Sequence, residues 1–232
     1  MTWTRLRQVA LVAADLDVAV GDLERALGLT VAHRDPAVAA FGLVNAVLPL
    51  GTQFVEVVSP AREHTAAGRQ LQRLGGDGGY MVICHTDDHE RRRRRVRDLG
   101  VRVAFEGDEG GYRIMQLHPA DTGGSFLEVD YQPGGEDPWG PWHPAGPDWQ
   151  RSSHIRAAIS GVTVGSLHPD RTARRWSDIL EIDLGADGRT LDLDNASVRF
   201  VPGPHDSLSG VTVSGAGLRQ PVTICGVEFS PG

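Results

Sequence analysis

The sequence contains no lysine; all 23 of its basic side chains are arginine. With abundant alanine, glycine and aspartate, this is the composition of a GC-rich genome rather than a mark of mechanism. Only two cysteines occur, Cys84 and Cys225, far apart and each in an apolar run. A disulfide framework is thereby excluded, and buried reduced thiols in a cytoplasmic chain are expected. There is no N-terminal targeting pattern and no apolar run of the ~20 residues needed to span a bilayer, so a soluble chain without a membrane partner is expected. Nor is there an excess of positive charge. The formal net charge is −7, which gives no support for a nucleic-acid partner. With 232 residues, 40% of them hydrophobic, the chain can bury a substantial core, as one large domain or two small ones.

What the sequence does have is carboxylates where strands are expected. After the turn residues His118–Gly124, the run Ser125–Tyr131 (SFLEVDY) alternates, with Phe126, Glu128 and Asp130 on one face and Leu127, Val129 and Tyr131 on the other. Glu128 is a carboxylate in the middle of an apolar strand. Burial of an unpaired carboxylate is costly, so it must face water, a cation or a proton partner. The stretch Gly51–Pro60 (GTQFVEVVSP) has the same form, with Glu56 in the equivalent place. Two such segments point to an internal repeat.

The order of elements supports the repeat. Arg5–Ala13 reads as a strand. Asp15 or Asp17 caps a helix with Val18, Val20, Leu23 and Leu27 near helical spacing, ended at Gly28. Strands are expected at Thr30–His33, Ala39–Leu48 and Thr52–Val58. From Gly79 the order returns: strand Tyr80–His85, helix from Asp87 to Gly100, then strands Val101–Phe105, Tyr112–Leu117 and Ser125–Tyr131. A short helix, Thr65–Leu74, lies between. The predicted fold is α+β, with tandem βαβββ modules: module one about 5–60 and module two about 79–131, paired within 1–132. Residues 133–153 form a linker rich in Pro, Gly and Trp. Residues 154–232 form a third module (strand Ala157–Val164, helix Pro169–Leu180, strands Thr190–Leu193 and Ala196–Val201). A truncated fourth follows, with strands at Ser207–Ser214 and Pro221–Phe229.

Three stretches resemble the vicinal oxygen chelate superfamily, the glyoxalase, bleomycin-resistance and extradiol-dioxygenase group. They are Gln8–Leu16 (QVALVAADL), Phe54-Val-Glu56, and His118–Glu128 (HPADTGGSFLE). The last, with the preceding Gly111–Leu117, is most similar to the methylmalonyl-CoA epimerase branch. The resemblance implies paired βαβββ modules around one divalent metal, with ligand positions at Gln8, Glu56, Tyr80 and Glu128. A Gln-Glu-His-Glu set is the arrangement of one class of glyoxalase I enzymes, so Tyr80 stands where a histidine is expected. A phenol ligates well only after losing a proton with a reference pKa of about 10. The resemblance thus implies a metal held by Gln8, Glu56 and Glu128 (manganese, nickel, magnesium, iron or zinc), or none if Tyr80 has abolished the site. In the third module, Gly161 and Phe200 take the equivalent positions.

The implied activity is that of an isomerase, epimerase or lyase, moving a proton next to a carbonyl or carboxylate of a small-molecule substrate. Glu128 is expected as general base or ligand, Glu56 as its counterpart, and Tyr80 as an acid. Epimerases of the branch use a strand glutamate where this chain has Asn45, so strict methylmalonyl-CoA epimerase activity is not expected. Asn45, Arg113, Trp139 and Trp142 are the expected substrate contacts, and His64 or His143 could swing in as a ligand. The alternative is a metal-free binding or sequestration protein with the Trp residues over its ligand. Two modules in one chain permit a monomer; the odd third module would suit a homodimer.

Overall fold

A computed structural model describes residues 2–232. The first half forms β1 (Thr4–Val12), α1 (Leu16–Leu27), β2 (Leu43–Leu50), β3 (Gln53–Pro60), α2 (Ala66–Leu74), β4 (Gly78–Thr86), α3 (His89–Asp98), β5 (Val103–Glu109), β6 (Tyr112–Leu117), α4 (Pro119–Thr122) and β7 (Phe126–Asp130). The second half forms β8 (Ala158–Ser166), α5 (Pro169–Leu180), β9 (Thr190–Asp192), β10 (Ser197–Pro202), β11 (Ser207–Ser214), β12 (Val222–Ile224) and β13 (Val227–Pro231). Local chemistry sets the helix starts. Asp15 accepts from the amides of Asp17 and Val18, Thr65 from that of Gly68, and Asp88 from that of Arg91.

The strands make two sheets of one topology. The first runs β2-β3-β1-β4-β7-β6-β5 and the second, read the same way, β9-β10-β8-β11-β13-β12. In each, the leading strand pairs parallel with the last strand of its own module and antiparallel with the leading strand of the next. The second sheet lacks the outermost strand and the helix that would precede it, which is the truncation.

Module one departs from the expected element order. Thr30–His33 contributes only a bridge, His33 to Val47. Residues 39–41 belong to a 3-10 turn, Pro36–Phe41, begun by Pro36 and capped by Asp35; Gly42, at φ 73°, then turns the chain into β2.

The first sheet buries both faces. One packs Leu6, Val9, Leu11, Val55, Val57, Val82, Cys84, Leu127 and Val129 against α1 and the C-terminal half. The other carries Ala10, Val12, Phe54, Tyr80, Met81, Ile83 and Tyr112. The two halves meet closely. A Cβ at Gly79 would lie 1.9 Å from the Leu208 carbonyl oxygen, so only glycine fits there. Gln53 links the halves through both atoms of its amide, donating to the Ile159 carbonyl (3.0 Å) and accepting from its N–H (2.8 Å). The Gly161 assignment holds in register, but Phe200 is one residue off. β10 pairs Arg199 with Thr163 as β3 pairs Glu56 with Ala10, so the exposed Arg199 is the equivalent of Glu56. Phe200 faces the core against Trp176, because a one-residue slip on a strand changes face.

Among the described residues no helix is long and apolar enough to cross a membrane. Trp142 and Trp149 of the segment joining the halves are buried and pack on Phe54. The Arg7 guanidinium lies over all three rings, at 5.3 to 5.8 Å, and donates to the carbonyls of Thr52 (2.6 Å) and Pro138 (2.8 Å). Burial among them lowers its pKa to about 10.

Candidate functional site

The second face of the first sheet opens into a cavity of about 860 Å³. Gln8, Asn45, Glu56, Tyr80, Gln116 and Glu128 all line it. Alternation along β4 places Tyr80 with Val82 and Cys84, but the pairing of β1 with β4 is irregular. Ala10 pairs with Met81 and Leu11 with Gly79, leaving Tyr80 as an extra residue. Such a bulge re-aims its side chain. Tyr80 therefore joins Met81 and Ile83 in the cavity wall, while Cys84 stays in the core behind.

Glu56 is held by two amides. Asn45 Nδ2 donates to Oε1 at 2.7 Å and Gln8 Nε2 to Oε2 at 2.8 Å. Each amide is itself fixed in orientation. Trp142 Nε1, which can only donate, gives its proton to Gln8 Oε1 at 2.8 Å, and Asn45 Oδ1 accepts from the Asp35 amide at 2.8 Å. Both NH₂ groups must then point at Glu56. Burial pushes the Glu56 pKa up to about 7, with Glu128 adding to the rise and the two amides opposing it.

Across the sheet, Glu128 has a carboxylate neighbour two residues on. Asp130 is fully buried and accepts from the Tyr112 hydroxyl at 2.5 Å and, more weakly, from the Met115 amide at 3.4 Å. Oε2 of Glu128 finds no donor among the described residues. Burial, followed by the Asp130 charge and the hydrogen bond to it, raises the Glu128 pKa well above the usual range. Burial raises the Asp130 pKa too, but the Tyr112 hydroxyl and the Met115 amide oppose that rise, so of the two it is Glu128 that keeps a proton. Gln116, opposite Glu128 on β6, offsets part of the Glu128 rise. Burial lifts the Tyr80 phenol to about 12, with Glu56 and Glu128 acting in the same sense, so it is a neutral donor.

These side chains do not fit a metal. The Gln8 oxygen that would ligate is turned to Trp142, both Glu56 oxygens carry amide N–H groups, and Tyr80 offers a phenol where an imidazole would ligate. What the set offers instead is an ionisable carboxylate beside a protonated one.

Three expected substrate contacts lie elsewhere. Arg113 is outside the cavity, its guanidinium within 3.2 Å of Glu90 and 3.5 Å of Asp108. Trp139 is half exposed and stacks on Trp149. Trp142 is buried behind Gln8, outside the cavity lining, and meets the site through Gln8 and the Tyr112 ring. His143 does line the cavity, stacked on Tyr112 and 3.1 Å from Glu109, whereas His64 is fully exposed outside. His85 does not face the cavity either; its Nε2 accepts from the Gln132 amide. Sequence reasoning missed Asp130, Gln116 and Tyr112 as partners. The Glu-x-Asp alternation in β7 was the available signal for the first.

Comparison with solved structures places the architecture. A variant of methylmalonyl-CoA epimerase from Streptomyces coelicolor, in complex with 2-nitronate-propionyl-CoA, is 27% identical (TM-score 0.51). The match covers 56% of this chain and 98% of that one. A second variant complex of the Streptomyces coelicolor enzyme is similar, at 26% identity and TM-score 0.50 over 56% and 98% of the two chains. A hypothetical protein from Staphylococcus aureus matches 99% of this chain and 100% of its own at 16% identity and TM-score 0.70, so the four-module architecture recurs as a fold. No curated protein matches. Residues 9–180 match the family described as glyoxalase-like domain, and the chain belongs to that family, within the vicinal oxygen chelate superfamily.

Proposed function

We propose that the protein catalyses proton transfer next to a carbonyl group, as an isomerase or epimerase, with Glu56 as base and Glu128 as acid. The observation that carries this is the grip on Glu56: two pre-oriented amides hold its carboxylate in a buried cavity opposite a carboxyl that keeps its proton. Membership of the glyoxalase-like family and the likeness to epimerases support the reaction class.

Glu56 takes the α-proton and becomes neutral, as the C–H pair moves into the developing C=C bond. The carbonyl π-electrons move to oxygen, which takes the Glu128 proton and leaves an enol. As the carbonyl re-forms, Glu128 takes back the oxygen's proton while carbon is protonated. For an epimer, a donor on the opposite face protonates it and Glu56 loses its proton to solvent; for an isomer, Glu56 protonates the far carbon of a conjugated double bond. Tyr80, as a neutral phenol, and Gln116 supply further donors to that oxygen. A base with a pKa near the working pH is suited to both directions of transfer.

The test is exchange of α-protons for deuterium in D₂O, followed by NMR over enolisable acids and thioesters. Glu56→Gln is expected to slow exchange by about 10²–10⁴, the usual worth of a general base. The wild-type rate should rise with pH up to about 7, where Glu56 ionises. Exchange at the wild-type rate in Glu56→Gln would refute the assignment. Ligand binding without any exchange would instead favour a binding protein.

A further inference from the structure

Among the described residues, ten of the 23 arginines pair with a carboxylate. Arg102 forks onto Asp121 (2.7 and 2.8 Å), Arg189 onto Asp170 (2.6 and 3.2 Å) and Arg91 onto Glu181 (2.8 and 3.0 Å). The two arginines that line the cavity are treated differently. Arg69 and Arg73 stand four residues apart on α2, hence on one face of the helix. Arg69 Nη1 donates to the His64 carbonyl at 3.0 Å. Arg73 Nη2 donates to Gln70 Oε1 (2.5 Å) and the Asp206 carbonyl (2.9 Å). All three acceptors are uncharged. They orient the guanidiniums and leave the charge in place.

The His64 carbonyl is aimed by unusual backbone, since His64 has φ 61°, a region that non-glycine residues seldom occupy. The other cavity-lining acids are engaged elsewhere: Asp35 caps the 3-10 turn, Glu109 meets His143, and Asp206 accepts from the Leu167 amide. Arg69 also stands near the reacting groups, because the Tyr80 phenol feels its positive charge together with the negative charges of Glu56 and Glu128. An oriented guanidinium with no carboxylate in salt-bridge contact among the described residues is arranged for an anion brought by the ligand.

We propose that Arg69 and Arg73 form an anion-binding subsite of the cavity, so that the substrate is an enolisable carbonyl compound carrying a carboxylate or phosphate group. This rests on the proton-transfer reading for the word substrate. The anion subsite itself stands on geometry. Arg69 holds the anion next to Tyr80, and Arg73 extends the positive face outward along the helix.

The experiment is a calorimetric titration of the full-length protein with malonate, with inorganic phosphate and with neutral acetone, at low ionic strength. Variants are Arg69→Ala, Arg69→Lys and Arg73→Ala, with Arg94→Ala on α3 as an exposed control outside the cavity. At least one anion is expected to bind the wild type with a Kd raised about tenfold or more by Arg69→Ala, the loss of one charge-assisted contact. Arg73→Ala should weaken it less, Arg69→Lys should recover part, and Arg94→Ala should match wild type. Which of the two anions binds tells carboxylate from phosphate. Binding of neither anion, or equal binding in Arg69→Ala, overturns the proposal. The deuterium-exchange assay separates the two readings. Exchange on neutral ketones as fast as on anions leaves proton transfer standing without the subsite. Arg69-dependent anion binding without exchange leaves the subsite standing alone.

Discussion

The two sheets share a topology and differ in what they carry at matching positions. Where the first has Gln8 on its leading strand and Glu56 on the parallel partner, the second has Gly161 and Arg199. The face of the first sheet that bears Gln8 and Glu56 is closed over by α2, the 3-10 turn and the Trp-bearing segment, and its polar groups are buried and oriented. The corresponding face of the second sheet carries Thr163, Arg199, Thr212 and Glu228, none of them buried. The fold therefore supplies strands at the right separation and nothing more. A site arises only where polar residues are placed there and water is kept out, since burial is what lifts Glu56 and Glu128 into a useful range.

Under the proposed function the chemistry belongs to the first half alone, and that contrast can be broken experimentally. The largest effect on folding is expected from Trp176→Ala in the second half. Trp176 is fully buried, 5.2 Å from the Phe200 ring centre, and its removal should cost about 3–5 kcal/mol. Thermal or urea unfolding measures the loss, while deuterium exchange per folded molecule should stay within a few-fold of wild type. A collapse of exchange in a variant that is still folded would mean that the second half shapes the cleft.

The next effect is a pH dependence from the first half. Glu56 keeps its proton to about pH 7 in the fold, while the unfolded chain releases it near 4.5. Its contribution is therefore greatest below pH 4.5 and declines as pH rises to 7, by about 3 kcal/mol if the shift is fully expressed. His85, kept neutral by burial to about pH 3, acts in the opposite sense below pH 6.5. Comparison of wild type with Glu56→Gln cancels that contribution. Urea unfolding from pH 5 to pH 8 should show the wild type losing stability relative to Glu56→Gln as pH rises, and parallel profiles would refute the buried-carboxylate account.

A smaller effect sharpens the comparison within the site. Tyr80→His restores the ligand type that the superfamily pattern calls for, yet Gln8 stays committed to Trp142. No stoichiometric uptake of nickel or cobalt is expected until Trp142→Phe is added, which removes the only hydrogen bond donated to Gln8 Oε1 among the described residues. Elemental analysis of dialysed protein decides this. Wild-type protein that retains one metal per chain through dialysis against a chelator would contradict the donor assignment.

The sequence carried the strands and helices well because each has local punctuation. Pro169 begins α5, and the helix and the strand Ser207–Ser214 have the boundaries their patterns suggest. It was less informative wherever geometry depends on register. The bulge that turns Tyr80 into the cavity has no composition signal, and Phe200 was misplaced by a single residue. Gln8, Asn45 and Glu56 could be named from pattern and resemblance, but the Trp142 bond that orients Gln8 spans 134 positions, beyond any local rule. Arg113 and Trp139 were drawn toward the cleft by residue type alone; nearby carboxylates and a second indole hold them outside it.

The segment between the halves would by composition be chosen as the place to cut, lengthen or tag the chain. Its Trp142 and Trp149 instead surround Arg7, and one indole proton sets the direction of the Gln8 amide. A nick or insertion that displaced Trp142 would free that amide to turn over, offering an oxygen to Glu56 in place of its N–H, so a change in a connecting segment would be felt at a carboxylate in the sheet.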